Sequence, residues 1–375
     1  MKHVPKEVKV KIHSLGHCAE GIGRVVEGED KDITVFVENT TSGDLVLAET
    51  FAHKKAYLKA QLKEIIEDGD SRIKPKCSMA KICGGCQWQH VDYNHQLSAK
   101  KESITSNIQK ITGLEPDIVK DVATSPDCWN YRAKVQLPVG ITKKSKRLLV
   151  GYYKPKTHEI VNIKYCPVQP EIFNEIVEYI RELHTKYFLE VYNEKTLKGY
   201  LRHILLRKSF YTGEILLTFV INSRKVKPEL QKIADKLVEK FSDIRGITVN
   251  VNSIDTNVIL GPRSKSIYGY NYISETLGNK TYNITDKSFF QVNPQVAEQM
   301  FEYIKTIIQS NNGSGTLLDI YAGVCAISIY VSDFFEKIVA IENDASSEYY
   351  ALQNCKINSI ENIEYFNCSA DEGLD

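Results

Sequence analysis

The sequence predicts a multidomain α/β protein. It is expected to have a small N-terminal β-barrel of the OB type, a central α+β region with a cysteine cluster, and a C-terminal Rossmann-like parallel sheet. Three observations predict this. Short strands punctuated by glycine fill roughly the first 60 residues. Three of the nine cysteines crowd between Cys77 and Cys86. From about residue 295, apolar helices alternate with near-continuous apolar strands.

The 375 residues allow two or three domains at about 100–200 residues each. At 42% hydrophobic and 25% charged residues, the chain can bury an ordinary globular core. No run approaches the roughly 18 apolar residues of a membrane helix. The start, Met1-Lys2-His3-Val4-Pro5-Lys6-Glu7, has no apolar stretch of a secretory signal, which predicts a cytoplasmic protein. The net charge of +1 hides an asymmetry: −3 over residues 1–50, +13 over 51–250 and −9 over 251–375. The basic middle points to a polyanion such as nucleic acid, with solvated lysine faces as the alternative.

Taken in order, Val8, Val10 and Ile12 alternate, Gly21-Ile22-Gly23 turns, Ile33–Val37 is a strand, and Ser42-Gly43-Asp44 turns before Leu45-Val46-Leu47. Such a barrel suits oligonucleotides, the alternative being a ligand-free β domain. A last strand over 54–67 runs toward the cysteines. Residues 95–111 space Leu97, Ile104, Ile108 and Ile111 as a helix. Residues 131–165 alternate as strands around the basic turn Lys143-Lys144-Ser145-Lys146-Arg147. Helices marked by Ile172–Leu183 and Leu230–Phe241 flank the strand Ile215–Val220, and Gly246–Val249 begins another. Val296, Met300, Ile304, Ile307 and Ile308 line a helix face closed by Asn311–Gly315. Strand 316–321, a helix, strand 338–342, helix 345–357 and strand 363–366 then predict a parallel sheet.

Three constellations carry chemistry. Cys77-x5-Cys83-Gly84-Gly85-Cys86 places three thiolates close enough for one metal centre, with Cys166 before Pro167 as the best fourth ligand. No second CxxC and no zinc-finger histidine pair is present, which favours iron–sulfur over zinc or unligated thiols. The x5-x2 spacing differs from the radical-enzyme triplet. Asp319-Ile320-Tyr321-Ala322-Gly323, followed by Glu342 after the next strand, fits a turn for a nucleotide-like cofactor, with the acidic residue on ribose hydroxyls. An ordinary α/β turn is the alternative. Ser288-Phe289-Phe290-Gln291-Val292-Asn293-Pro294 offers amides for a base edge or a cofactor, and aromatics for stacking; a packed loop is the alternative.

Together these motifs resemble the iron–sulfur-containing 23S rRNA (uracil-5-)-methyltransferases, the TRAM-domain branch of the RNA 5-methyluridine methyltransferases. The resemblance spans nearly the whole chain. Gly21-Ile22-Gly23-Arg24 with Val35-Phe36-Val37 resembles a TRAM barrel. Cys77 to His90, with Gly151-Tyr152-Tyr153 and Cys166-Pro167, resembles the cluster loop. Phe289 to Asn293 and Leu318 to Gly323 resemble the family hallmark and the cofactor turn. The resemblance implies a TRAM barrel at 1–66, a central iron–sulfur and RNA-binding domain at 67–92 and 123–280, and a methyltransferase domain at 93–122 and 281–375. It implies S-adenosylmethionine and a 4Fe–4S cluster on Cys77, Cys83, Cys86 and Cys166. Gln291, Tyr321, Glu342, Asp319, Gly323 and Ser369 are the expected cofactor residues. Phe289, Lys143, Lys144, Lys146 and Arg147 are the expected RNA contacts. The expected partner of this monomer is 23S rRNA, with tRNA as the runner-up.

Two departures stand out. The family turn reads Cys-Gly-x-Gly, whereas this one reads Ala322-Gly323-Val324-Cys325. The family also supplies a nucleophilic cysteine, in a Ser-Cys-Asn-Pro segment, and a carboxylate base downstream of the third sheet strand. None of the nine cysteines lies in such a segment. The sequence therefore predicts a truncated methyltransferase domain that is inactive alone, or a catalytically dead RNA-binding iron–sulfur protein.

Overall fold

The computed structural model describes residues 6–142 and 144–374. The chain forms two compact units, Met1–Thr124 with Tyr153–His158, and Ser125–Tyr152 with Glu159–Asp375.

In the first unit, β1 (Glu7–Leu15), β2 (Gly21–Val25), β3 (Thr34–Val37), β4 (Leu45–His53) and β5 (Tyr57–Glu67) close into a barrel in the order β1-β2-β3-β5-β4. Alternation puts Val8, Val10, Ile12, Val35, Val37, Val46, Ala48, Leu58 and Ala60 inside. The parallel pairing of β3 with β5 completes closure. At Gly23 a Cβ would lie 2.5 Å from the Lys11 carbonyl oxygen, so only glycine lets β2 lie this close. Buried Asp44 accepts from Arg72 and from the Thr41 and Gly69 amides, anchoring the segment that leads into the cysteine loop. After that loop comes α1 (Tyr93–Thr112), capped by Asp92 at its start and by left-handed Gly113 at its end.

The second unit opens with β6 (Lys134–Ile141), β7 (Leu148–Tyr153), β8 (Ile160–Asn162), α2 (Glu171–Lys186), β9 (Leu201–Lys208), β10 (Ile215–Ile221), α3 (Pro228–Lys240), β11 (Ile244–Val251) and β12 (Arg263–Gly269). The strands form a seven-stranded sheet in the order β12-β11-β10-β9-β6-β7-β8. β10 and β11 run parallel because α3 crosses over between them. The apolar faces of α2 (Phe173, Ile176, Ile180) and α3 (Leu230, Ile233, Leu237) join the sheet in one core. Next, β13 (Tyr272–Leu277) and β14 (Lys280–Thr285) form a hairpin that the sequence reading did not anticipate.

The chain continues through α4 (Pro294–Ser310), β15 (Thr316–Ile320), α5 (Ala326–Val331), β16 (Lys337–Ile341), α6 (Ala345–Ile357), β17 (Ile363–Phe366) and α7 (Ala370–Leu374). The three strands pair in parallel, in sequence order. A second core joins this layer to the hairpin through Tyr282, Phe290, Phe301, Val324 and Ile329. Among the described residues, no helix is long and apolar enough to cross a membrane.

Candidate active site

The parallel strands β15, β16 and β17 deliver their C-terminal ends to one edge, where open α/β sheets bind ligands. Asp319 is the penultimate residue of β15, Tyr321 and Gly323 lie in the turn after it, Glu342 directly follows β16, and Ser369 lies beyond the end of β17. All five predicted residues therefore sit at or beyond the same edge.

Their polar contacts fix the turn. One Glu342 carboxylate oxygen accepts from the Gly323 amide at 3.0 Å, and the other accepts from the Asp344 amide at 2.8 Å. The Asp319 carboxylate accepts from the Ser328 hydroxyl on α5. Burial pushes the Asp319 carboxyl up; the Ser328 hydrogen bond opposes this, and the nearby Glu342 charge adds to it. Ser369 bonds Glu372 at the start of α7 through both its amide and its hydroxyl.

The backbone of the turn is left-handed at three places: Tyr321 (φ +67°), Gly323 (φ +55°) and Cys325 (φ +59°). Nothing lies within 4 Å of a Cβ built on Gly323, so the turn is open above that glycine. Tyr321 is 75% exposed beside it. Cys325, the last residue of this turn, takes a conformation that costs a non-glycine residue about 1–2 kcal/mol. Strain of this kind concentrates at functional sites. The Cys325 thiol is fully buried, and contact with Cys355, together with burial, pushes its pKa far up. A thiol held protonated in this way is a poor nucleophile.

Gln291 lies on the separate loop that enters α4. Phe290 is buried in the same core as Ala322 and Val324, whereas Phe289 is 73% exposed. The loop is pinned on several sides. Ser288 and Thr285 exchange hydrogen bonds between amides and hydroxyls, the Arg207 guanidinium donates to the Ser288 carbonyl at 2.6 Å, and the Ala133 amide donates to the Val292 carbonyl at 2.7 Å. Asn293 caps α4 through the Val296 amide. Phe289 is thus exposed while its neighbours are held.

Sequence reasoning missed the charged cluster beneath this loop. Lys134 on β6 is in register with Arg207 on β9. Burial, then the Arg207 charge, pulls the Lys134 pKa down to about 7. Arg207, wholly buried, is pulled down to about 10. Asp286 is the carboxylate facing both, and it also accepts from Ser264 at 2.6 Å. The signal available was a lysine opening a mostly apolar strand, Lys134-Val135-Gln136-Leu137.

In the first unit, Cys77 is buried and Cys83 and Cys86 are half-buried on one turn-rich loop. The Gly85 amide points at the Cys83 sulfur at 3.4 Å, as amides do around cluster thiolates. Burial raises the Cys83 thiol pKa, and the Cys86 and Cys77 charges add to the rise. Cys77 and Cys86 thus lie near Cys83, but the three sulfurs do not all come within 4.8 Å of one another, so the structure does not gather them into a ligand set. Cys166 lies in the second unit, buried, with its amide on Asn174 at 2.9 Å. Lys144, Lys146 and Arg147 are exposed on the β6–β7 turn, and Lys143 lies outside the described residues. A groove of about 620 Å³ beside the turn is lined by Lys146, Arg147, Lys164 and Arg181, together with Glu178 and Glu182.

Residues 92–374 match the family model described as tRNA (uracil-5-)-methyltransferase. The chain belongs to that family. Among its relatives, an uncharacterized RNA methyltransferase of Clostridium acetobutylicum is 34% identical over 370 residues, covering 98% of this chain and 78% of the relative. Another, from Nostoc sp., is 30% identical over 363 residues, covering 97% and 77%. Of the solved structures, Pyrococcus abyssi tRNA (uracil-54, C5)-methyltransferase in complex with S-adenosyl-L-homocysteine superposes with a TM-score of 0.74 at 25% identity, over 96% of this chain and 79% of that one. The uracil-5-methyltransferase fold thus accounts for the barrel, the seven-stranded sheet and the parallel layer as one set.

Proposed function

We propose that this chain supplies the RNA-binding and cofactor-binding parts of an RNA uridine-C5 methyltransferase, with S-adenosylmethionine as donor. The observation that carries the reading is the Glu342–Gly323 hydrogen bond beneath an open turn at the C-terminal edge of β15 and β16. A carboxylate has about four lone-pair sites, so Glu342 can hold the turn and still accept from ribose hydroxyls. Tyr321 and Gln291 would orient the cofactor, Asp319 would keep α5 in place, and Ser369 would border the adenine. S-adenosylmethionine supplies an electrophilic methyl group when bound.

Cys77, Cys83, Cys86 and Cys166 are the proposed ligands of a 4Fe–4S cluster with a structural role. Protein purified without oxygen is expected to be brown and to carry iron; stoichiometric zinc without iron would refute this. Phe289 is proposed to stack on the target uridine or a neighbour, and the basic turn with Lys143 to contact phosphates. The proposed substrate is 23S rRNA, a reading supported by a barrel and a cysteine-rich loop accompanying the methyltransferase layer. The second reading is tRNA, favoured by the likeness to the Pyrococcus abyssi enzyme over 96% of the chain.

Uracil C5 is weakly nucleophilic until a thiolate adds at C6, and a base must then remove the C5 proton. None of the nine cysteines lies in the segment that the family uses; the hydrogen bond between Cys325 and Cys355 pushes the Cys325 thiol up and the Cys355 thiol down. These 375 residues alone are therefore expected to bind donor and RNA but to form no 5-methyluridine. Equilibrium dialysis with labelled S-adenosylmethionine, followed by incubation with unmodified 23S rRNA and tRNA in parallel, tests each part. Absence of donor binding overturns the cofactor reading. Methylated uridine overturns the inactivity, and the RNA that carries it identifies the substrate.

A further inference from the structure

The barrel carries a cluster of metal-ligating side chains on the β1–β2 loop. His17, Cys18 and Glu20 each aim a ligand atom so that all three atoms lie within 4.8 Å of one another. The Cys18 sulfur is 3.2 Å from the His17 Nε2. Metal–ligand bonds of about 2.0–2.3 Å at tetrahedral angles put neighbouring ligand atoms roughly 3.3–3.8 Å apart. The trio is therefore near that spacing already.

The loop is built to hold the three together. The Gly16 amide donates to the Glu20 carbonyl at 2.7 Å, and the Ala19 amide donates to the Gly16 carbonyl at 3.0 Å. Ala19 is left-handed, at φ +68°. Its carbonyl accepts from the Trp88 indole at 3.2 Å, which ties the loop to the segment after Cys86. The Glu20 carboxylate folds over Gly16, where a Cβ would meet its carbon at 2.9 Å. One Glu20 oxygen, Oε2, is buried and has no hydrogen-bond partner. Such an atom is rare unless something else satisfies it. Lys156 feels the charges of Cys18 and Glu20, but its ammonium group is bonded to Glu38 at 2.9 Å.

We propose that His17, Cys18 and Glu20 bind one divalent cation of the zinc class through Nε2, thiolate and carboxylate, with a water molecule in the fourth position. One nitrogen, one sulfur and one oxygen select zinc, cobalt or nickel over magnesium or calcium, which prefer oxygen alone. Binding releases the Cys18 proton to solvent and takes one Glu20 carboxylate oxygen as a ligand. The site is separate from the Cys77–Cys86 loop and uses none of its thiolates.

The test is the alkylation rate of Cys18, read by peptide mass spectrometry on the full chain purified without oxygen, with and without micromolar zinc. Zinc is expected to slow Cys18 alkylation about tenfold or more, leaving half-buried Cys128 and Cys368 unaffected as internal references. His17→Ala and Glu20→Gln should abolish the protection, and Cys18→Ser should lower bound zinc by one equivalent. These loop positions are outside the barrel core, and a thermal melt of each variant confirms folding. If zinc leaves the Cys18 rate unchanged, the proposal fails. It also fails if both variants keep full protection, since Cys18 would then bind without its partners.

Discussion

Glu342 and Gly323, on two neighbouring parallel strands' trailing turns, are joined by a carboxylate–amide hydrogen bond of 3.0 Å. It links the place where the chain leaves β15 to the place where it leaves β16. The same carboxylate caps the Asp344 amide, so one side chain sets the shape of the whole edge.

Replacing Glu342 tests that role. Hydrogen bonds to a charged group contribute about 1.5–3 kcal/mol. Glu342→Ala should therefore weaken S-adenosylmethionine binding by roughly 10- to 100-fold, while Glu342→Gln keeps one acceptor and loses less. Calorimetric titration measures both. Unchanged affinity in Glu342→Ala would mean that the donor binds elsewhere.

Gly84 tests the cysteine loop. Its amide donates to the Tyr153 carbonyl at 2.9 Å, and a Cβ at this position would lie 2.8 Å from that same oxygen. Backbone must move to admit it. Gly84→Ala is expected to destabilise the first unit by about 1–3 kcal/mol and to lower bound iron. Exposed Lys81→Ala on the same loop should do neither. Thermal unfolding and iron content after anaerobic purification provide the comparison.

The particular residues show why some of this was legible in sequence and some was not. Helix 345–357 and strand 363–366 are visible because they continue the alternation of strands and helices that begins at residue 316, and the structure places them at those bounds. The barrel is visible because Val8, Val10 and Ile12 alternate into a core. Lys134, Arg207 and Asp286 are invisible because they are far apart in sequence and meet only through the β6–β9 register and the loop after β14. The strain at Cys325 was half legible. The cysteine at the end of the turn is plain in sequence, but only the fold shows that it takes the left-handed conformation. The His17–Glu20 cluster escaped notice because no zinc-finger spacing marks it.

The basic turn is tested by salt dependence. Replacing Lys143, Lys144, Lys146 and Arg147 with glutamine should weaken RNA binding at any sequence. It should also lower the slope of log affinity against log salt by at most about 3 units, since each phosphate contact on a single strand contributes about 0.7. The Thr142 carbonyl accepts from the Lys146 amide, and the Thr142 hydroxyl accepts from the Arg147 amide, so the turn should keep its shape without the charges. Filter binding at several salt concentrations measures the slope. An unchanged slope would place the RNA on another face.

Lys134 gives a stability prediction with a defined sign. Its pKa is pulled down to about 7, by burial first and by Arg207 second, with Asp286 opposing. An unfolded lysine titrates near about 10.4. Between those values the unfolded chain holds a proton that the folded chain lacks, so stability rises with pH across this window. Below about pH 7 both states are charged, and the fold bears the full cost of burying the ammonium. Lys134→Met keeps the stem and removes the charge. Its melting temperature should exceed that of the parent at about pH 6, and the gap should shrink steadily as pH rises through about 7 toward about 10. Other groups titrate over this range in both proteins and cancel in the difference. Differential scanning calorimetry of the pair at matched ionic strength reads it. A gap that is flat with pH, or one that widens at high pH, would mean that Lys134 is not a buried charge and that Asp286 neutralises it fully.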